Sequence, residues 1–209
     1  MHSKDGTPKP ARRGRPTGDH AAKRQELLRA TSAVIAQEGY AKASMRKIAK
    51  HAGCTTGVVT HYFSNKEELV VALLEHAFDR FDVMLKGIEE SGDIKRLSEE
   101  WMKLTSRKNA FWPVTSELLA LGRNDPVFDD IIARRYANFR RKYVSILKAA
   151  QKRGEVRDDI SADLLTDYLV AIGDGWMLMN PIEPKRFTPA RMRKLLDSLM
   201  ALIAPPASS

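Results

Sequence analysis

Between Ser44 and Phe63 the chain reads SMRKIAKHAGCTTGVVTHYF, with a small residue at Ala49 and a glycine four positions later at Gly53. Two short helices that meet at a steep angle need a small side chain where they cross and a turn residue tolerant of positive φ. These two positions supply both. Ile48, Ala52, Cys54, Val59 and Tyr62 fall at spacings that close a miniature apolar core. Ser44 caps a first short helix through His51, and Thr55 or Thr56 caps a second that ends near Phe63. The second helix would present Thr56, Gly57, Val58, Thr60 and His61 outward, as a helix entering a major groove must. The pattern predicts a helix-turn-helix; its bland alternative is a helical hairpin that only completes a core.

Charge separates the two. Residues 1–65 carry 12 of the 35 lysines and arginines but 4 of the 26 acids, so nearly all of the formal +9 sits in the first third. A basic head on a neutral body predicts a polyanionic partner, although charge alone does not distinguish DNA, RNA and an acidic membrane. A hydrophobic share of 43% is that of an ordinary globular chain, and 209 residues suffice for one large domain or two small ones. The lone cysteine, Cys54, gives no intramolecular disulfide framework and suits a reducing compartment. No apolar run is long enough to cross a bilayer, and the N-terminus has no apolar stretch of a secretory signal. The expected location is the cytoplasm, with no membrane partner.

The remainder reads as helix throughout, so the expected fold class is all-α, an N-terminal three-helix head on a larger helical-bundle body. Residues 1–18 form a basic arm without apolar periodicity. Asp19 can cap a first helix that places Leu27, Thr31, Val34 and Ile35 on one face and ends at Gly39. Ser64-Asn65-Lys66-Glu67 reads as a capping box opening a long helix to about Glu90, closed by Gly92. Two helices are expected near 94–106 and 110–123. Asp125-Pro126 opens another, in which Phe128, Ile132, Tyr136, Phe139, Tyr143 and Ile146 keep helical spacing until Gly154. Ser161 opens a helix stopped by Pro181 and Pro184, and Thr188-Pro189 opens the last, ending before Pro205. The expected division is an arm (1–18), a head (19–65) and a body (66–209).

Several motifs together resemble the tetracycline-repressor (TetR) family of bacterial regulators. They are the Gly39-Tyr40 pair, the run from Ser44 through Gly53, the His61-Tyr62-Phe63 ending and the stretch from Asn65 to Leu69. The likeness is strong over residues 21–81, and GVVTHYF is most similar to the choline-responsive BetI branch. The resemblance implies that Thr55, Thr56, Gly57, Thr60, His61 and Tyr62 approach DNA, with Ser44 and Arg46 alongside and Lys66 pairing a phosphate. Thr60 departs from a tyrosine that many members place on phosphate. Arg13-Gly14-Arg15-Pro16 resembles an AT-hook core, so Arg13 and Arg15 either lie in a minor groove or belong to a tail that contacts nothing.

A protein that reads two half-sites of a palindromic operator needs two heads at fixed separation, so the body is expected to form a homodimer. The candidates are Leu165, Tyr168, Leu169, Ile172, Leu195, Leu199 and Leu202 on the last two helices, which suit a protomer core as well. Trp101, Met102, Phe111, Trp112, Tyr143, Asp174, Trp176 and Met177 are candidates for an effector pocket, and most of them suit an ordinary core equally. Asp174 stands out because an acid in an apolar helix needs a partner. The BetI likeness implies that a tryptophan among Trp101, Trp112 and Trp176 faces a quaternary ammonium ligand. No phosphate loop, nucleophile elbow or metal-ligand spacing occurs, so neither catalysis nor a cofactor is expected. An architectural nucleic-acid-binding protein without ligand sensing is the alternative. Cys54 is expected to be buried and inert.

Overall fold

The computed structural model describes residues 17–97, 99–100, 111–122 and 125–206, and among them every regular element is helical. Helix α1 (Thr17–Glu38) starts two residues before Asp19, which therefore lies inside its first turn rather than at its cap. Gly39, at φ +80°, ends α1 with its N–H donating to the Ile35 carbonyl at 2.8 Å. Helices α2 (Met45–His51) and α3 (Thr56–Tyr62) follow, separated by Gly53 at φ +62°.

Helix α4 (Lys66–Ser91) is opened by Asn65, whose side chain accepts from the Glu68 N–H at 2.7 Å, while the Glu68 carboxylate accepts from the Ser64 N–H at 2.7 Å. The capping box expected from Ser64 is thus displaced by one residue. Both Ser and Asn cap well and both Glu67 and Glu68 are acidic, so the sequence contained two registers. The extended backbone of Phe63 leaves the turn to begin at Asn65. Helices α5 (Phe111–Gly122), α6 (Pro126–Lys152), α7 (Ala162–Ile182) and α8 (Pro189–Ile203) complete the body. Asp125, Ser161 and Thr188 each cap as their sequence suggests. Pro181 does not stop α7, which runs through it to Ile182 and closes with the Glu183 N–H on the Met179 carbonyl at 2.8 Å. Of the helix expected near 94–106, residues 94–95 form a turn and 96–97 and 99–100 are helical; residue 98 and residues 101–106 lie outside the described residues.

Among the described residues, two apolar clusters form the core. The first joins Leu27, Leu28 and Ile35 of α1 to Ile48, Val59 and Phe63, then continues through Leu69 and Leu74 of α4 to Val114, Leu118 and Phe128. The second joins Leu85 and Ile88 of α4 to Tyr143, Leu147, Leu165, Leu169 and Met177, with Ile203 of α8. The buried core therefore crosses residue 65 without a break, and α4 contributes its first half to the head and its second to the body. Along the α4–α6 seam Arg135 pairs with Glu75, Asp79 and Asp82 at 3.2, 2.6 and 3.3 Å, and Lys142 adds a 2.7 Å pair to Asp82. The Gln151 amide donates to the Arg157 and Ile160 carbonyls, and the Arg157 N–H donates to the Ile203 carbonyl at 2.8 Å, which ties the end of α8 to the turn after α6.

Candidate DNA interface and effector cavity

The head is built around the crossing of α2 and α3. Ser44 accepts from the Lys47 N–H at 3.4 Å and starts α2. At its end the Cys54 N–H bonds to the Ala49 carbonyl at 3.0 Å, a tight return that only a positive-φ residue at Gly53 allows. Ile48, Ala49 and Val59 are fully enclosed at the crossing. Cys54 is not enclosed; it packs on the rim of the core as a half-buried thiol. Thr55 holds the cap position of α3 with its hydroxyl making no capping bond.

Because Val59 points inward, the opposite face of α3 is open. Thr55, Thr56, Gly57, Thr60 and His61 are exposed there, Val58 is half-buried, and the Thr60 hydroxyl rests on the Gly57 carbonyl at 3.2 Å. Arg46 is exposed on α2 and Ser44 half-buried beside it. Arg13 and Arg15 lie outside the described residues. Tyr62 does not stand free: its ring packs 4.5 Å from the His20 ring of α1 and 5.3 Å from His61. His20 was not singled out from sequence, since it sits in the first turn of α1, 41 positions before His61, and no local pattern links the two. Lys66 is held within the protein, its ammonium 4.0 Å from the Tyr40 ring and 3.4 Å from the Tyr40 carbonyl oxygen. The Tyr40 N–H in turn donates to Glu117 of α5 at 2.5 Å. Tyr40 is thus gripped from two sides, by the start of α4 and by the body.

In the body, α4, α6 and α7 enclose a cavity of about 60 Å³ lined by Phe78, Phe81, Tyr136, Phe139, Tyr143 and Asp174, among others. The rings meet edge to face: Phe78 with Tyr136 at 5.5 Å, Phe81 with Phe139 at 5.5 Å, and Phe139 with Tyr143 at 5.8 Å. Asp174 is the one carboxylate among the described lining residues, with the Tyr136 hydroxyl 3.5 Å from each of its oxygens. Burial pushes its carboxyl above the usual range, against the opposing pull of Tyr136 and Arg140. Burial, with Asp174 second, pushes the Tyr136 phenol well above its ordinary value, and burial alone does the same to Tyr143.

Of the residues singled out for a pocket, Tyr143 and Asp174 line this cavity. Trp176 lines a smaller void of about 30 Å³ toward Leu196 and Leu199 of α8, which shares Tyr143 and Gly173 with the first, and Met177 is in the core. Trp101 and Met102 lie outside the described residues, as do the side chains of Phe111 and Trp112. Phe78 and Phe81 were not singled out from sequence, and Tyr136 and Phe139 were placed only by their helical spacing, which is that of any buried helix face.

A raised acid pKa has a defined sign for stability. The folded state keeps the Asp174 proton to higher pH than the unfolded state does. Folding therefore loses stability as pH rises through the unfolded value, and the loss is complete above the folded one. Asp174→Asn, which keeps shape and a partner for Tyr136, is expected to raise the melting temperature at pH 7. Its advantage should fade as pH falls toward 4, and equal melting temperatures at pH 7 would contradict the assignment.

On the outer face, Tyr168 is 61% exposed and Leu202 65%, joined by Leu164, Leu178 and Ile182 of α7. Ile172, Leu195 and Leu199 are half-buried beside them. Leu165 and Leu169 point the other way and are enclosed within the protomer, because one apolar helix serves both surfaces and period 3.6 assigns these two to the inner one.

An exposed short helix braced by two others, seated on a body that encloses an aromatic cavity, defines a helix-turn-helix regulator of transcription. The chain matches the N-terminal domain of the TetR family of bacterial regulatory proteins over residues 27–73 and the C-terminal domain of BetI-type transcriptional repressors over residues 92–205. The chain belongs to this family. It is 28% identical to the HTH-type transcriptional repressor Rv1474c of Mycobacterium tuberculosis, covering 80% of this chain and 89% of that protein. It is 27% identical to the HTH-type transcriptional regulator BetI 2 of Chromohalobacter salexigens, covering 88% and 91%. Among solved structures, a transcriptional regulator of Saccharomonospora viridis in complex with choline has the same fold, with a TM-score of 0.74 at 20% identity over 87% of this chain and 96% of that one.

Proposed function

We propose that this protein is a homodimeric repressor that grips a palindromic operator with α3 and leaves it when a small effector enters the body. Thr55, Thr56, Gly57, Thr60 and His61 face the groove, Arg46 and Ser44 meet the backbone, and His20 braces Tyr62 at the end of α3. Phosphate contacts set the register of the dimer and the side chains on base edges select the sequence. The observation that carries this reading is the open face of α3 opposite a fully enclosed Val59.

The aromatic cavity supports the sensing half. About 60 Å³ admits no more than a few waters, so an organic ligand enters only as α4, α6 and α7 part. A ligand that binds the parted state better shifts the equilibrium, whereas equal affinity for both would shift nothing. Five aromatic rings around one carboxylate suit a small organic cation, and the choline bound by the Saccharomonospora viridis regulator is of that class. Selection of bound duplexes from a random pool tests the assignment; a two-fold symmetric consensus is expected, and no enrichment at moderate salt would refute it. Calorimetry with choline and betaine aldehyde tests the ligand class separately, and absence of heat removes it while leaving the regulator intact.

A further inference from the structure

A second cavity, of about 330 Å³, lies between α1, α4 and α5, where head meets body. Its floor is apolar, with Leu28 and Leu118 fully enclosed. Its polar lining is one-sided. Arg29 comes from α1, His76 and Arg80 from α4, and the Ser32 and Thr115 hydroxyls from α1 and α5. No carboxylate is among the described lining residues. The nearest acid on α4, Asp79, is drawn to Arg135 at 2.6 Å on the α6 side. Burial holds His76 below its ordinary value; Asp79 opposes this, and Arg80, Arg24 and Arg29 add smaller contributions to it, which favours a neutral imidazole able to donate a hydrogen bond.

We infer that this cavity is a binding site for a small amphiphilic carboxylate, its charge beside Arg29 and His76 and its tail on the leucine floor. The volume falls in the range of ordinary ligand sites. A cationic lining over an apolar floor selects against neutral and cationic molecules of the same length. The occupant is a different class from the cation suited to the Asp174 cavity, and the site does not depend on that assignment. Its position gives it a direct hold on the head: Thr115 is two residues before Glu117, whose carboxylate holds the Tyr40 N–H. A ligand wedged between α1 and α5 therefore acts across that bond, at the junction of head and body.

The test is titration calorimetry of the full chain with sodium octanoate, with 1-octanol and octylammonium as controls. Saturable octanoate binding is expected, with neither control competing. Arg29→Gln is expected to weaken it about tenfold, the loss of one charge-assisted contact. Ala33→Leu fills the cavity while keeping every charge, and is expected to abolish binding with helicity unchanged. Should that variant lose helicity, the exposed Arg29→Gln decides alone. Binding is expected to persist in Asp174→Asn, which places it apart from the aromatic cavity. Absence of saturable binding, affinity unaltered by Arg29→Gln, or loss in Asp174→Asn would each overturn the proposal.

Discussion

Substituting aspartate for both Tyr168 and Leu202 is expected to give a folded monomer whose affinity for a palindromic operator is lower by about 10²–10⁴. The two side chains are 61% and 65% exposed in the protomer, so charge there costs the isolated fold little. In a dimer they would be covered, and facing carboxylates in an apolar seam are repulsive and poorly solvated. The effect on DNA is larger than any single contact because the second head binds at the effective concentration set by the first. Losing that linkage forfeits the avidity while leaving every head contact in place. Sedimentation and operator titration check the two halves of the expectation. A double variant that remains dimeric would move the interface elsewhere on the body.

The same residues show where sequence was informative. Local signals were reliable because they are set by a few neighbouring backbone atoms. Gly39, Gly53, Gly92 and Gly154 all adopt positive φ at helix ends, and Ser44, Asp125, Ser161 and Thr188 all cap. Asn65 displaced Ser64 as a cap because two acceptable registers overlapped and the chain entering from Phe63 chose between them. Pro181 misled because a proline near a helix end disrupts one bond, which flanking turns outlast. The all-α class, the head and the family followed from these short-range patterns.

What remained hidden depends on pairs distant in sequence. Tyr40 and Glu117 are 77 positions apart, and nothing in either neighbourhood announces the bond. Phe78, Tyr136 and Asp174 come from three helices, and a phenylalanine lining a cavity has the same periodicity as one filling a core. For the same reason Leu165 and Tyr168, three residues apart on one apolar helix, could not be sorted into inner and outer faces until the neighbouring helices were in place.

Ile48→Ala is expected to destabilise the protein by about 2–5 kcal/mol, the range for truncating a fully enclosed aliphatic side chain. In a chain of this size that lowers the melting temperature by roughly 4–20 °C. Cys54→Ser, on the half-buried rim of the same core, is expected to cost about 1 kcal/mol or less. The loss at Ile48 should not stay local. Its cluster continues through Leu69 and Leu74 into Val114, Leu118 and Phe128, so loosening the crossing of α2 and α3 also loosens the junction with α4 and α5. The outer face of α7 and α8 rests instead on the second cluster, which contains Leu165, Leu169 and Ile203. Operator binding should therefore fail at temperatures where sedimentation still shows a dimer. If Ile48→Ala melted within 2 °C of the unaltered protein and kept its operator affinity, Ile48 would not be holding the recognition helix in position, and α3 would have to be fixed by its contacts with α1 alone.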